Sequence, residues 1–215
     1  MAQLIRDLDA GVVRDNLARV REEIAATGRD PGDVELLAAV KYVPLEDVGT
    51  LVEAGIDVMG ENRAQDLELK ARAHPTVTWD FIGHLQSRKV KQVLPHVRYV
   101  HSVASDSVLR QLERYGSSET EVLVEVNIAG EADKSGIAPS ELDDFIARCP
   151  VTVVGLMTMP PLAERPEDSR RWFAALAQLA GERGLRHLSM GTSQDYVVAV
   201  QEGATIVRLG TTLYH

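Results

Sequence analysis

ELLAAVK, residues 35–41, is a short apolar run that stops abruptly on a lysine. It shows no alternation of apolar with polar residues, the pattern of a strand buried on both faces, and the turn-like Asp30-Pro31-Gly32 bounds it in front. Behind it Pro44 suits a helix start, and Leu45, Val48, Leu51 and Val52 recur at spacings of three and four before Gly55. The stretch reads as a strand that feeds a helix.

The same unit recurs along the chain without any repeat of sequence. Apolar runs at 57–61, 78–83, 98–102, 121–126, 151–158, 187–191 and 205–209 alternate with helical patterns, the clearest being Trp172, Phe173, Leu176 and Leu179. With residues 35–40 these make eight strands, and strands alternating with helices imply a parallel sheet. Eight parallel strands close a barrel. The rival, a doubly wound open sheet, wants a glycine-rich fingerprint after its first strand, and LLAAVKYVP at 36–44 has none. The expectation is an α/β chain folded as one single-domain (β/α)8 barrel of the TIM type over residues 1–215, with no C-terminal domain. In front of the first strand, Leu4, Ile5, Leu8, Val12, Val13, Leu17, Val20 and Ile24 predict an amphipathic helix over 3–27. Five residues follow Gly210, too few for a helix after the eighth strand, so the opening helix is expected to fill that gap.

Lys and Arg number 23 against 32 Asp and Glu, a formal net charge of −9 with no basic block. That argues against a nucleic-acid partner. Cys149 is the only cysteine, which rules out an internal disulfide framework and a multi-cysteine zinc site and points to the cytoplasm. No apolar stretch approaches membrane-spanning length, so neither a signal peptide nor a membrane anchor is expected. No long exposed apolar stripe demands a protein partner, and a monomer is expected.

In such a barrel the chemistry lies at the carboxyl ends of the strands, where polar residues are concentrated here: Lys41, Asn62, His84, Ser102, Asn127, Thr158, Ser193 and the 208–211 segment. Lys41 follows an apolar strand, where a low dielectric favours the neutral amine that attacks an aldehyde, although a lysine at a strand end also simply snorkels into solvent. Ser189-Met190-Gly191-Thr192-Ser193 and Arg208-Leu209-Gly210-Thr211-Thr212 follow strands seven and eight, the usual phosphate site of these barrels. Each segment alone could be only a turn. An amine opposite a phosphate pocket suggests a phosphorylated aldehyde, either pyridoxal phosphate or a sugar phosphate. Arg208 is then a candidate for the pyridine nitrogen, or else a barrel arginine paired with Glu125 or Glu61. His84 and His101 near strand ends, with Glu61 close by, raise a metal-dependent hydrolase, but no HxH pair occurs and no Asp ends strand eight, so no metal is expected. Lys134-Ser135-Gly136 either contacts a ligand phosphate or caps a turn. Trp79 and Phe81 alternate with Asp80 and Ile82 as core strand residues do.

LLAAVKYVP, GENRAQDLELK, WDFIGHLQSRKVK, VEVNIAGEADKSGI, GLMTM, LSMGTSQDY and VRLGTTLYH, in that order across nearly the whole chain, resemble the successive motifs of the pyridoxal-phosphate homeostasis protein family. That family is similar to the N-terminal barrel of alanine racemase. The resemblance implies that Lys41 forms a Schiff base with pyridoxal 5'-phosphate, that Ser193, Gly210 and Thr211 hold the phosphate, that Arg208 faces the pyridine nitrogen, and that Asn62 and His84 line the ring pocket. Two positions depart from the family pattern: Val40 stands where Ser or Thr is usual, and Thr192 replaces a methionine of the loop after strand seven.

The expected function is a pyridoxal phosphate-binding protein of vitamin B6 homeostasis, a carrier rather than an enzyme, with pyridoxal phosphate-dependent client enzymes as partners. A racemase-like enzyme is the alternative. It needs a second acid-base group across the ring from Lys41. Tyr42 is expected to point to the other side of the strand, away from the pocket, and Tyr196 and Tyr214 to pack locally. An aldolase acting on a sugar phosphate ranks third.

Overall fold

The computed structural model describes residues 4–215. Eight parallel strands, β1 (Glu35–Ala39), β2 (Val58–Glu61), β3 (Thr78–Phe81), β4 (Tyr99–Val103), β5 (Glu121–Glu125), β6 (Thr152–Met157), β7 (His187–Thr192) and β8 (Ile206–Leu209), form a closed barrel in sequence order. β8 returns to β1 with Leu37 opposite Arg208 and Ala38 opposite Leu209, which closes the sheet and leaves no edge. Every strand expected from the apolar runs is present, with ends displaced by at most two residues. Around them lie α1 (Ala10–Ala26), α2 (Val48–Glu53), α3 (Ala64–Ala73), α4 (Val90–Val93), α5 (Asp106–Tyr115), α6 (Leu142–Ala147), α7 (Arg170–Glu182), α8 (Tyr196–Gln201) and α9 (Thr211–Tyr214).

The barrel has two apolar layers because successive side chains of a strand point to opposite faces. The larger core packs the outward faces of the strands against the helices, with Phe81, Phe145, Phe173 and Ile24 fully buried. Leu37, Val58, Tyr99, Leu123, Val154, Met157 and Ile206 form the smaller interior cluster. Beside this apolar cluster, Asp80, His101, Ser189 and Arg208 are polar and buried.

Two expectations about the ends of the chain are corrected. The opening helix starts at Ala10 rather than at residue 3, which itself lies outside the described residues. Asp9 caps it, its Oδ1 accepting the Val12 N–H at 3.0 Å, and the residues before it run across to the β1 turn, where the Ile5 N–H donates to the Tyr42 carbonyl at 2.8 Å. Leu4 and Ile5 share the helical spacing of α1 but not its backbone. The five residues after Gly210 do make a helix, the single turn α9, and α1 packs on α9, α8 and α2. The Asn16 amide ties α1 to the chain end by donating to the carbonyls of Leu213 and His215 at 3.2 and 3.3 Å.

An Asp9→Ala substitution is expected to cost about 1 kcal/mol, lowering the thermal midpoint by roughly 2–4 °C. A helix that began at residue 3 would place position 9 in its interior, where alanine is the better helix former, and the midpoint would hold or rise.

Candidate functional site

At the carboxyl end of the barrel the strand-end loops enclose a cavity of about 490 Å³, a size that suits a small ligand. All seven residues expected from the sequence line it: Lys41, Asn62, His84, Ser193, Arg208, Gly210 and Thr211. Its charged lining is Lys41 and Arg208 against Glu125, an excess of cation in a chain of net charge −9.

Lys41 is half-buried and sits in the turn after β1, and the backbone on either side of it is held at three points. The Tyr214 hydroxyl donates to the Ala39 carbonyl at 3.1 Å, the Lys70 ammonium to the Val40 carbonyl at 2.8 Å, and the Ile5 N–H to the Tyr42 carbonyl. Lys70 is itself buried and paired with fully buried Glu61 at 2.6 Å, whose other oxygen accepts the N–H groups of Asn62 and Arg63. One buried ion pair thus fixes the turns that follow both β1 and β2. Those turns approach the next one closely: a Cβ at Gly83 would lie 2.2 Å from the Asn62 carbonyl oxygen, so only glycine lets the loops carrying Asn62 and His84 meet.

Tyr42 departs from expectation. It lines the cavity, and the Lys41 Nζ lies over its ring, 4.9 Å from the centroid. The alternation that was to turn it away ends with the strand at Ala39, and the residues beyond are a turn. Tyr214 also lines the cavity; burial, with the nearby Glu61 charge, pushes its hydroxyl above the usual tyrosine range. Tyr196 packs locally, donating to Glu23 on α1.

On the opposite side the loops after β7 and β8 meet. The Gly210 and Thr212 N–H groups converge on the Ser193 Oγ at 3.1 and 3.2 Å. Gly191, at φ +90°, sits in β7 one residue before its end, where the register with β8 shifts, and a Cβ there would lie 2.6 Å from that of Ala199. Arg208 is buried and, among the described residues, pairs with neither Glu125 nor Glu61: Glu61 holds Lys70, and Glu125 accepts from Ser135 at 2.6 Å. Its NH1 donates to the Ser189 carbonyl and Oγ, both at 2.7 Å, and its NH2 to the Thr158 carbonyl and the Met159 Sδ, both at 2.9 Å. Burial pulls its pKa down to about 10, against the weaker pull of the Asp195 and Glu125 charges. It remains a cation at neutral pH.

The residues that suggested a metal hydrolase are apart. His84 lines the cavity, whereas His101 lies inside the barrel between Asp80 and Ser189. Among the described residues, no three of His, Cys, Asp and Glu are grouped to hold an ion. Ser135 lines the cavity, but Lys134 lies outside it, bonded to Glu131 at 2.7 Å and to the Pro160 carbonyl at 3.2 Å. Ile5 was missed as a lining residue because its helical spacing concealed it, and Tyr214 because no motif places it.

Residues 8–215 match the family described as alanine racemase, N-terminal domain. A pyridoxal phosphate homeostasis protein of Aquifex aeolicus is 38% identical over 213 residues, covering 92% of this chain and 93% of that one. One from Pseudomonas aeruginosa is 39% identical over 209 residues, covering 92% and 90%. PipY of Synechococcus elongatus, solved with pyridoxal phosphate bound, superposes with a TM-score of 0.78 at 30% identity, over 94% of this chain and all of that one (100%). By sequence and by fold, this chain belongs to the alanine racemase N-terminal domain family and to the pyridoxal phosphate homeostasis proteins within reach of it.

Proposed function

We propose that the protein binds pyridoxal 5'-phosphate in the 490 Å³ cavity, with Lys41 as the capturing amine, and acts in the cytoplasm as a carrier that keeps the cofactor available to client enzymes. The observation that supports this best is the meeting, in one cavity, of Lys41, a buried guanidinium with no carboxylate partner among the described residues, and two loop amides aimed at one oxygen. When bound, the cofactor supplies an aldehyde that condenses reversibly with a primary amine. Lys41 offers that amine from a turn clamped at three carbonyls. Thr211, the Ser193 hydroxyl and the loop amides of 210–212 would take the phosphate, whose charge the excess cation of the cavity favours. Arg208, protonated, would donate to the pyridine nitrogen and leave it unprotonated, which weakens the ring as an electron sink. Asn62 and His84 would flank the ring. That the homologous PipY was solved with pyridoxal phosphate bound supports the reading.

A carrier is favoured over a racemase because the tyrosines of the cavity do not oppose Lys41. Tyr42 lies directly beside the lysine amine, on its own side, and the Tyr214 hydroxyl is committed to the Ala39 carbonyl. Racemisation needs a proton removed from one face and returned on the other. The single cysteine, half-buried with its thiol pushed up by burial, suits a reducing compartment, and among the described residues no helix is long and apolar enough to cross a membrane.

Borohydride reduction of the loaded protein followed by peptide mapping is expected to place the pyridoxyl group on Lys41; recovery mainly on Lys89, Lys91 or Lys134 overturns the assignment. Pyridoxal, which lacks the phosphate, is expected to bind on the order of 100-fold more weakly, as the loss of one or two charge-assisted hydrogen bonds implies. Equal affinities would mean that the 191–193 and 210–212 segments are only turns. Exchange of the Cα hydrogen of alanine or serine, followed by deuterium incorporation, is expected to fall far below the roughly 10 per second of a working enzyme. Turnover at that rate that vanishes in Lys41→Ala would promote the racemase.

A further inference from the structure

Beneath Arg208 a file of buried polar groups runs down the barrel interior, and the cofactor reading makes no use of it. The Arg208 NH1 donates to the Ser189 Oγ at 2.7 Å, the Ser189 Oγ lies 2.8 Å from the His101 Nδ1, and the His101 Nε2 lies 3.1 Å from the Asp80 Oδ2. Asp80 also accepts from Arg98 at 2.6 and 3.2 Å and from the Tyr99 N–H at 3.1 Å. Arg98 in turn grips Glu35 through two bonds of 2.6 Å at the amino end of the barrel. Asp80, His101 and Ser189 are all 0% exposed.

The order of protons along this file is set from both ends. A guanidinium has donors only, so the Ser189 Oγ accepts from Arg208. A carboxylate only accepts, so Asp80, already receiving donors from Arg98 and Tyr99, takes the proton on the His101 Nε2. A neutral imidazole then has a bare Nδ1, which accepts the Ser189 hydroxyl proton. Each charge state agrees with that order. Burial lowers the His101 pKa against the pull of Asp80, with the Arg208 and Arg98 charges adding to the fall, so the ring is neutral. Burial pushes Asp80 up, but the hydrogen bonds from His101 and Arg98, with the Arg98 charge, outweigh this and hold the carboxyl below its usual range. A protonated His101 would set a second cation close to Arg208 and leave the Ser189 proton without an acceptor.

Of the five guanidinium protons of Arg208, the four on NH1 and NH2 are taken by Ser189, Thr158 and Met159. Nε–H has no bond to the described residues.

We propose that His101 and Ser189 are positioning residues for Arg208: the imidazole fixes the direction of the Ser189 hydroxyl, Ser189 fixes the NH1 edge of the guanidinium, and Nε–H is thereby the donor reserved for the ring nitrogen of a pyridine cofactor. This rests on the reading that the cavity takes pyridoxal phosphate.

The test is a ratio of affinities. The wild-type protein, Ser189→Ala and His101→Gln are each titrated with pyridoxal phosphate and with its 1-deaza analogue, in which CH replaces the ring nitrogen. Wild type is expected to prefer pyridoxal phosphate by on the order of 10-fold, the worth of one charge-assisted hydrogen bond, and both variants to lose most of that preference. A merely structural role weakens both ligands alike and leaves the ratio in place, which would overturn the proposal. A wild-type ratio of one would also overturn it, and borohydride labelling of Lys41 in the same sample tells whether the cofactor reading survives on its own. Should the variants fail to fold, nitrogen-15 NMR of wild-type His101 decides the matter: a proton on Nε2 is the expected result, and a proton on Nδ1 breaks the file and overturns the proposal.

Discussion

A cation buried without a carboxylate is the constraint on which the carboxyl end of this barrel is built. Removing a charge from water costs several kcal/mol even after relaxation, so the Arg208 guanidinium needs an acceptor for nearly every proton it carries. Two carbonyls, a hydroxyl and a thioether supply them. Arginine suits the position better than lysine would. Its intrinsic pKa is so high that burial pulls it only to about 10, still charged at neutral pH. The acceptors come from within β7 and from just past the end of β6, so the geometry of the guanidinium is inherited from the register of β6 with β7 and of β7 with β8.

The other half of the cavity rests on a different device. Lys41 stands on a turn, and turns are free to move unless their carbonyls are held. The Glu61–Lys70 pair is buried, so breaking it by removing one partner is far more damaging than the weak net value of an intact pair suggests. Its value here is geometric: the Lys70 ammonium reaches from α3 to the carbonyl that precedes Lys41, and Glu61 organises the turn that carries Asn62. The departure at Val40 is compatible with this arrangement, because position 40 is gripped through its backbone and its side chain is buried in the outer core.

The strands were legible because each is a bounded apolar run, and the site because a barrel offers its chemistry at known strand ends. What escaped reading lies where periodicity stops having meaning. Tyr42 follows the last strand residue by three positions, where period-two alternation no longer applies, and Leu4 and Ile5 carry helical spacing on a backbone that Asp9 ends by capping. The single turn α9 has too few residues for any periodic signal and is stabilised by α1, some 200 positions away in sequence, through Asn16. The interior file was partly visible. Asp80 sits between Trp79 and Phe81, and that alternation marks it as facing the barrel interior, but no local pattern says that a histidine from β4 and a serine from β7 meet it there.

That file also bears on how the protein can change over generations. Each member leans on its neighbours in a buried interior, with Arg98 also on Asp80 and Met159 also on Arg208, so replacing one leaves its neighbour short of a partner, and removing one partner of a buried polar pair costs more than never having had the pair. Substitutions at positions 80, 101, 189 and 208 are therefore not independent steps: a change at one is tolerated mainly when a second change arrives with it. Drift along this column should proceed in pairs, while the apolar cluster around it, where similar volumes exchange at little cost, is at liberty to wander one residue at a time.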